Sequence, residues 1–394
     1  MTTASKKMIQ AIEYVVKPIS VGTNMALFHL LWAMVSGAFL PSRGAVHTAL
    51  ALCGRSEAEI RRGSEALRSG QWTIEELIKR WREWVLSQGK WEVQRYEGWR
   101  AVSCDVVVYP RLKLKGLKGK FYRGTFGRAV KALGFGVIVD VGHYGDDRVA
   151  LLNHIVRCEN KEGSSGLLQK RLLEETNKRL GEDGVAVHDA GTSIKEMREV
   201  QMKRHVIRLP KNCVVRRNEL PPNAHGNRKY GERIRPVKRK RKGKEIAATT
   251  GADVDRSFEV DGRTIVVHGW LNVVLDTDKV ADDAPPFNLW VFLTRCSKSH
   301  SFWQRTSPQR KHQPRQFASC ILIGGRLNNS LWPPNRWLDS IANLCSISLP
   351  VFGYLSCRYL QEICSPMSPS CCLPSPPDTG IAPRRRHPAG CVGC

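Results

Sequence analysis

Apolar residues recur at helical spacing through the first hundred positions, and the period then shortens. After "PSRG" comes "AVHTALALCG", where Gly54 marks a helix end and Ser56 is placed to cap "EAEIRRGSEALRSG". Thr73 is placed to cap "IEELIKRWREWVLSQG", in which Ile74, Leu77, Ile78, Trp81 and Val85 share one face. "MALFHLLWAMVSGAFL" (Met25 to Leu40) is apolar, but it is shorter than the roughly 20 residues that span a bilayer. It also contains His29, Ser36 and Gly37 and is stopped by Pro41, so a buried helix is expected rather than a membrane span.

From Trp99 the pattern becomes that of strands. "WRAVSCDVVVYP", "ALGFGVIVDVGHYG" and "GVAVHDAG" are Val- and Ile-rich runs bounded by Gly or Pro. "SSGLLQKRLLEETNKRLGED" between the second and third runs is an amphipathic helix, "SIKEMREVQMK" is another, and "HVIRLP" is a strand. The expected order is strand, strand, helix, strand, helix, strand, an α/β core with a mixed sheet. Residues 111–131 are basic and Gly-rich and are expected to hold a hairpin. Further on, Asp261-Gly262 is a hairpin turn between the alternating strands of "RSFEVDGRTIVVHGW".

Charge changes what this architecture is for. The formal net charge is +26 over 394 residues. A chain this basic suits a polyanionic partner, because each cation that neutralises a phosphate releases a counterion. A ribosome- or membrane-surface-associated protein is the plainer alternative. Arg61 and Arg62 lie on the capped helix after Ser56, which reads either as part of a helix-turn-helix or as the solvated face of a helical bundle. The run Lys238, Arg239, Lys240, Arg241 and Lys242 reads either as a solvated loop or as cations laid along a phosphate backbone. Of the 13 cysteines only Cys53, Cys104, Cys158 and Cys213 precede Phe292, and Met1 opens onto polar residues. A reducing cytoplasm without a leader peptide is expected. Cys-x-x-Cys occurs once, at Cys391 and Cys394, which is too few ligands for a zinc site.

Two acids stand out by position. Asp105 sits inside the apolar run "SCDVVVYP" and Asp189 ends "GVAVHDAG". A buried carboxylate needs a partner, often a cation, and an acid at the carboxyl end of a core strand faces the crevice where α/β proteins bind ligands. A structural reading is also open, in which Asp189 caps the helix that begins near Ser193 and Asp105 pairs with an arginine.

"DVVVYPR", "VAVHDAGTSIKEM" and "HVIRLPKN" occur in this order after a basic helical region and before a β-rich insertion. Together with "GTNMALFHLLWAMVSGAFLPSRGA", they resemble DDE-type bacterial insertion-sequence transposases over roughly residues 20–292. The resemblance implies an RNase H-like core in which two Asp and one Glu hold two Mg²⁺ ions, with Asp105 matching the first acid and Asp189 the second. It implies double-stranded DNA as partner, a homodimer that pairs two element ends, and a cytoplasmic, nucleoid-associated protein. The implied domains are helical and DNA-binding (1–98), catalytic core (99–210), basic β-rich insertion (211–286), and a remnant last strand with an irregular tail (287–394).

The tail departs from the family. Its third acid belongs to a signature of Tyr, two residues, Arg, three residues, Glu, six residues, Lys, and no such signature follows Phe292; Glu362 is the only Glu there and has other neighbours. The third acid is therefore absent in this frame. Reading "CILIGGRLNNSLWPPNRW" one phase over, with permitted synonymous codons, yields Tyr-Leu-Asp-Arg-Trp-Pro-Val-Glu-Gln-Leu-Pro-Leu-Ala-Ala-Lys-Gln-Met. The four signature residues fall at the family's spacing, the Glu codon straddling Leu327 and Asn328. The synonymous codons are chosen to give this reading, but several positions leave little freedom: Trp-Pro forces Ala, and Asn-Asn forces Gln or a stop. The expectation is a transposase gene shifted in frame near Phe292, inactive as written, with a poorly packed tail. A non-catalytic DNA-binding protein and a two-metal nuclease are the alternatives.

Overall fold

Five helices form the first part of the chain: α1 (Thr3–Val16), α2 (Thr23–Val35), α3 (Val46–Leu52), α4 (Glu57–Ser69) and α5 (Ile74–Ser87). Their ends follow local chemistry. Ser56 and Glu59 make a reciprocal capping box at the start of α4, and the Thr73 hydroxyl accepts from the Glu76 N–H at the start of α5. Gly54, at φ +70°, takes the left-handed conformation that ends α3. Ile12, Leu27, Leu30, Leu50 and Ile60 join in one core. Contrary to the expectation of a buried helix, α2 is half-exposed: Leu27 and Leu30 are buried, whereas Met25, Met34 and Val35 stand more than half in solvent.

The computed structural model describes residues 3–295, apart from positions 21, 43, 97, 114, 117–118, 159–164, 190, 211, 223–227, 261–262 and 283, and also a strand at 317–325. After the helices come β1 (Trp91–Val93), β2 (Arg95–Tyr96), β3 (Trp99–Pro110), β4 (Lys120–Arg123), β5 (Arg128–Tyr144) and β6 (Asp147–Arg157). Next are α6 (Ser165–Arg179), β7 (Gly184–His188), α7 (Ile194–Glu199) and β8 (Arg204–Leu209). The last part is all strand: β9 (Val215–Arg217), β10 (Arg233–Ile234), β11 (Arg239–Arg241), β12 (Lys244–Ile246), β13 (Val254–Val260), β14 (Arg263–Leu275), β15 (Phe287–Arg295) and β16 (Phe317–Gly325).

The result is a mixed α/β structure built on one mixed sheet. Its first half runs β6-β5-β3-β7-β8, with β3, β7 and β8 parallel and β5 and β6 antiparallel. Its second half continues from β8 through β16, β15, β14, β9 and β10, every pair antiparallel. Helix α6 packs on one face. Leu168, Leu172 and Leu173 bury there against Val102, Cys104 and Ile138, each leucine worth about 1.5–3 kcal/mol of apolar burial. The helix approaches so closely that a Cβ on Gly136 would stand 2.9 Å from Leu172 Cδ1, which explains the glycines of "ALGFGVIV".

Three expectations need correction. The sheet starts at Trp91, because β1 pairs with β5 and β2 with β3, so the helical region ends earlier than residue 98. Three long core strands, β3, β5 and β6, rather than two, precede α6. The third, β6, hid its alternation behind a bulge: Ile138 faces His154 and Val139 faces Leu152, leaving Asn153 as the extra residue. Its two buried residues, Leu151 and Val156, are accordingly an odd number of positions apart. Finally, the tail is not irregular throughout, since β16 lies between β15 and β8. The remaining tail, including Glu362 and the Cys391–Cys394 pair, lies outside the described residues.

Candidate active site

The site is set by strand register. Parallel pairing of β3 with β7 matches Arg100 to Gly184 and Ser103 to Val187. Two residues further along each of these segments stand Asp105 and Asp189, on neighbouring strands spaced about 4.8 Å apart. Alternation puts both on the face away from α6, since Val102, Cys104, Val106 and Ala186 turn to the α6 side.

The two acids differ in environment. Asp105 is largely buried, and burial raises its carboxyl above the usual range. The Val106 N–H, donating at 2.7 Å to Asp105 Oδ1, opposes that shift, and the charge of Asp189 adds to it. Asp189 meets Arg208 of β8, whose Nε lies 3.0 Å from Asp189 Oδ1, both side chains being about a third exposed. Ser193 with Glu196 caps α7, so Asp189 is not that helix's cap. The arginine that the structural reading assigned to Asp105 belongs instead to Asp189.

On the opposite face the same two strands bring Cys104 Sγ to 2.9 Å from His188 Nδ1. Burial pushes the thiol up to about 12 and the imidazole down to about 3, so both are neutral at physiological pH. A neutral, water-excluded thiol is no nucleophile, and this pair is packing.

Metal ligation is possible in part. Two carboxylates on one face, one of them raised chiefly by burial and further by its neighbour's charge, fit a hard divalent cation shared between them. Among the described residues no group of three or more His, Cys, Asp or Glu side chains gathers, so a third ligand is lacking there.

The basic candidates fall on two separate elements. Arg61 and Arg62 line the exposed side of α4; Arg61 Nε is 3.8 Å from Glu57 Oε1, and Arg62 Nε donates to the Ala58 carbonyl. Arg239, Lys240 and Arg241 form β11, which among the described residues pairs only with β12, in a ribbon apart from the main sheet. Lys242 and Gly243, both at positive φ, make its turn. Lys238 Nζ reaches Glu245 Oε1 at 3.4 Å, and Arg241 stands directly opposite Lys244.

Sequence reasoning missed Arg208, whose signal is an arginine inside the apolar run "HVIRLP". It also missed the clamp that ties the helices to the sheet. Asp140 of β5, 2% exposed, is held by Arg100, by Arg82 of α5 at 2.7 Å and by the Asn153 amide at 3.1 Å. The four cysteines before Phe292 are free thiols. No helix among the described residues is long and apolar enough to cross a membrane. No protein-family model matches the chain, and no curated protein matches it.

Proposed function

We propose that the chain is a DNA transposase of the DDE type, with Asp105 and Asp189 as two of its catalytic acids on an RNase H-like core. The observation that carries this is the β3–β7 register, by which Asp105, midway along β3, stands beside Asp189, just past the carboxyl end of β7. The strand order β6-β5-β3-β7-β8, with the helix α6 crossing from β6 to β7, supports the same reading. So do the net charge of +26 and the separate basic ribbon, which suit double-stranded DNA.

Phosphodiester cleavage needs a nucleophilic water and a stabilised leaving oxygen. Mg²⁺, when bound, supplies both through hard oxygen ligands. Asp105 and Asp189 are the residues that would hold it, and Arg208 orients the Asp189 carboxylate from the neighbouring strand. The third acid is encoded one phase over, at the codons of Leu327 and Asn328, so the chain as written binds element ends but does not cut or join them. A homodimer pairing two ends, in a nucleoid-associated cytoplasmic setting, follows from the same reading.

A strand-transfer assay on DNA carrying the element ends tests this. The 394-residue chain is expected to be nearly inactive, because removing one electrostatic stabiliser already costs about 10²–10³ in rate. A one-nucleotide correction near codon 292 is expected to restore cleavage and joining. Robust Mg²⁺-dependent transfer by the uncorrected chain would overturn the assignment of the missing acid. A non-catalytic DNA-binding protein is the second reading, favoured by the guanidinium of Arg208 standing where a cation would meet Asp189. It predicts end-specific binding without cleavage in either frame, whereas a two-metal nuclease would cut without joining.

A further inference from the structure

Between Asp105 and Asp140 the chain carries eight Lys and Arg and no Asp or Glu. That segment folds as the far half of β3, the strand β4 and the first half of β5, with β4 and β5 joined as a hairpin. Alternation sorts its side chains into two faces. Phe121 and Ala132 turn toward α6 and its core. Lys120, Tyr122 and Lys131 turn the other way, on the face that carries Tyr109, Phe135 and Asp105.

The rings on that face are not core residues. Tyr122 is 70% exposed and Tyr109 43%. Tyr109 meets Phe135 edge-on with centroids 6.0 Å apart, and the Arg157 guanidinium lies 5.7 Å from the Phe135 centroid. Tyr109 stands four residues beyond Asp105 on the same side of β3, about 13 Å along the strand. A basic, ring-bearing surface thus runs up to the acid pair. Contacts to duplex phosphates call for cations alone, whereas an unpaired strand uses cations for its backbone and exposed rings for its bases.

We propose that this face of β3, β4 and β5 is a stacking platform that holds an unpaired DNA strand and leads it to Asp105 and Asp189. The proposal rests on the nucleic-acid reading above and adds which form of DNA meets the site, and where. Tyr122 supplies the outermost ring, and Lys120 and Lys131, paired across β4 and β5, flank it with positive charge.

Fluorescence anisotropy of the full chain with one labelled oligonucleotide, single-stranded or annealed, separates the outcomes. Tyr122→Ala is expected to weaken single-strand binding about 5- to 150-fold, the loss for one stacked base, with duplex affinity unchanged. Tyr122→Trp is expected to retain single-strand affinity, because the ring rather than the hydroxyl carries the contact. Unchanged single-strand affinity in Tyr122→Ala, or an equal loss on both DNA forms, would overturn the platform while leaving salt-dependent duplex binding intact. Failure of the wild-type chain to bind either form would overturn the nucleic-acid reading and the platform together.

Discussion

Arg208 Nε lies 3.0 Å from Asp189 Oδ1, across the parallel pair β7–β8, on the same side of the sheet as Asp105. The guanidinium offsets one of two neighbouring negative charges, a task a divalent cation would otherwise perform. Arg208→Gln is therefore expected to tighten Mn²⁺ binding several-fold, read by the electron paramagnetic resonance of free Mn²⁺. Equal affinity in variant and wild type would mean that the arginine and the cation do not compete.

Asp105 makes a pH-dependent prediction. Its folded carboxyl titrates above the unfolded value, chiefly through burial. Below the unfolded value of 3.8 the group is protonated in both states and exerts no penalty. As pH rises through the raised folded value the anion forms in a site that disfavours it, and stability is lost. Asp105→Asn is expected to raise the Tm at pH 7 and to lose that advantage near pH 3. A lower Tm for the variant at neutral pH would contradict the sign.

Asp140 is the carboxylate that the fold itself needs. It sits between Arg82 and Arg100, both mostly buried, so removing it strands two guanidinium groups. Asp140→Ala is expected to cost about 3–5 kcal/mol in urea unfolding. A loss under about 1 kcal/mol, the size of an exposed pair, would show that the clamp holds little.

Gly136 tests the packing of α6 on the sheet. A methyl group there meets Leu172 side-chain atoms at 2.9 to 3.3 Å, so Gly136→Ala is expected to destabilise by about 1–3 kcal/mol through overpacking. Combining it with Leu172→Ala should recover part of the loss. Strict additivity would mean that the two positions do not press on one another.

The ribbon β11–β12 carries the electrostatic prediction. Arg241 and Lys244 face each other as like charges, an arrangement that anionic phosphates relieve. Replacing Lys240, Arg241 and Lys242 by Gln is expected to lower the slope of log affinity for duplex DNA against log salt by about 0.9 for each phosphate no longer neutralised. An unchanged slope would remove the ribbon from the DNA interface.

Features that depend on a few adjacent residues were readable in the chain. Ser56 and Thr73 cap α4 and α5 because a side-chain oxygen and an N–H three residues on suffice. Asp105 and Asp189 stood out as acids in apolar runs, and an Asp-Gly pair, itself outside the described residues, signalled the pairing of β13 with β14, in which Val260 is matched to Arg263. The strand β6 escaped notice because one inserted residue, Asn153, reverses which face its apolar residues occupy.

What only tertiary structure decided is partnership. Parallel neighbours such as β3 and β7 are joined through β5, β6 and α6, and no local pattern states the register in which they meet. That register sets Asp105 beside Asp189, the β7–β8 register brings Arg208 to the second acid, and Arg82 and Arg100 close on Asp140 from two different elements. The residue types, their spacing and the surplus of positive charge were determined by the sequence alone. Which carboxylate receives a guanidinium, and which stays raised by burial, was decided by packing, because both depend on side chains that lie far apart along the chain.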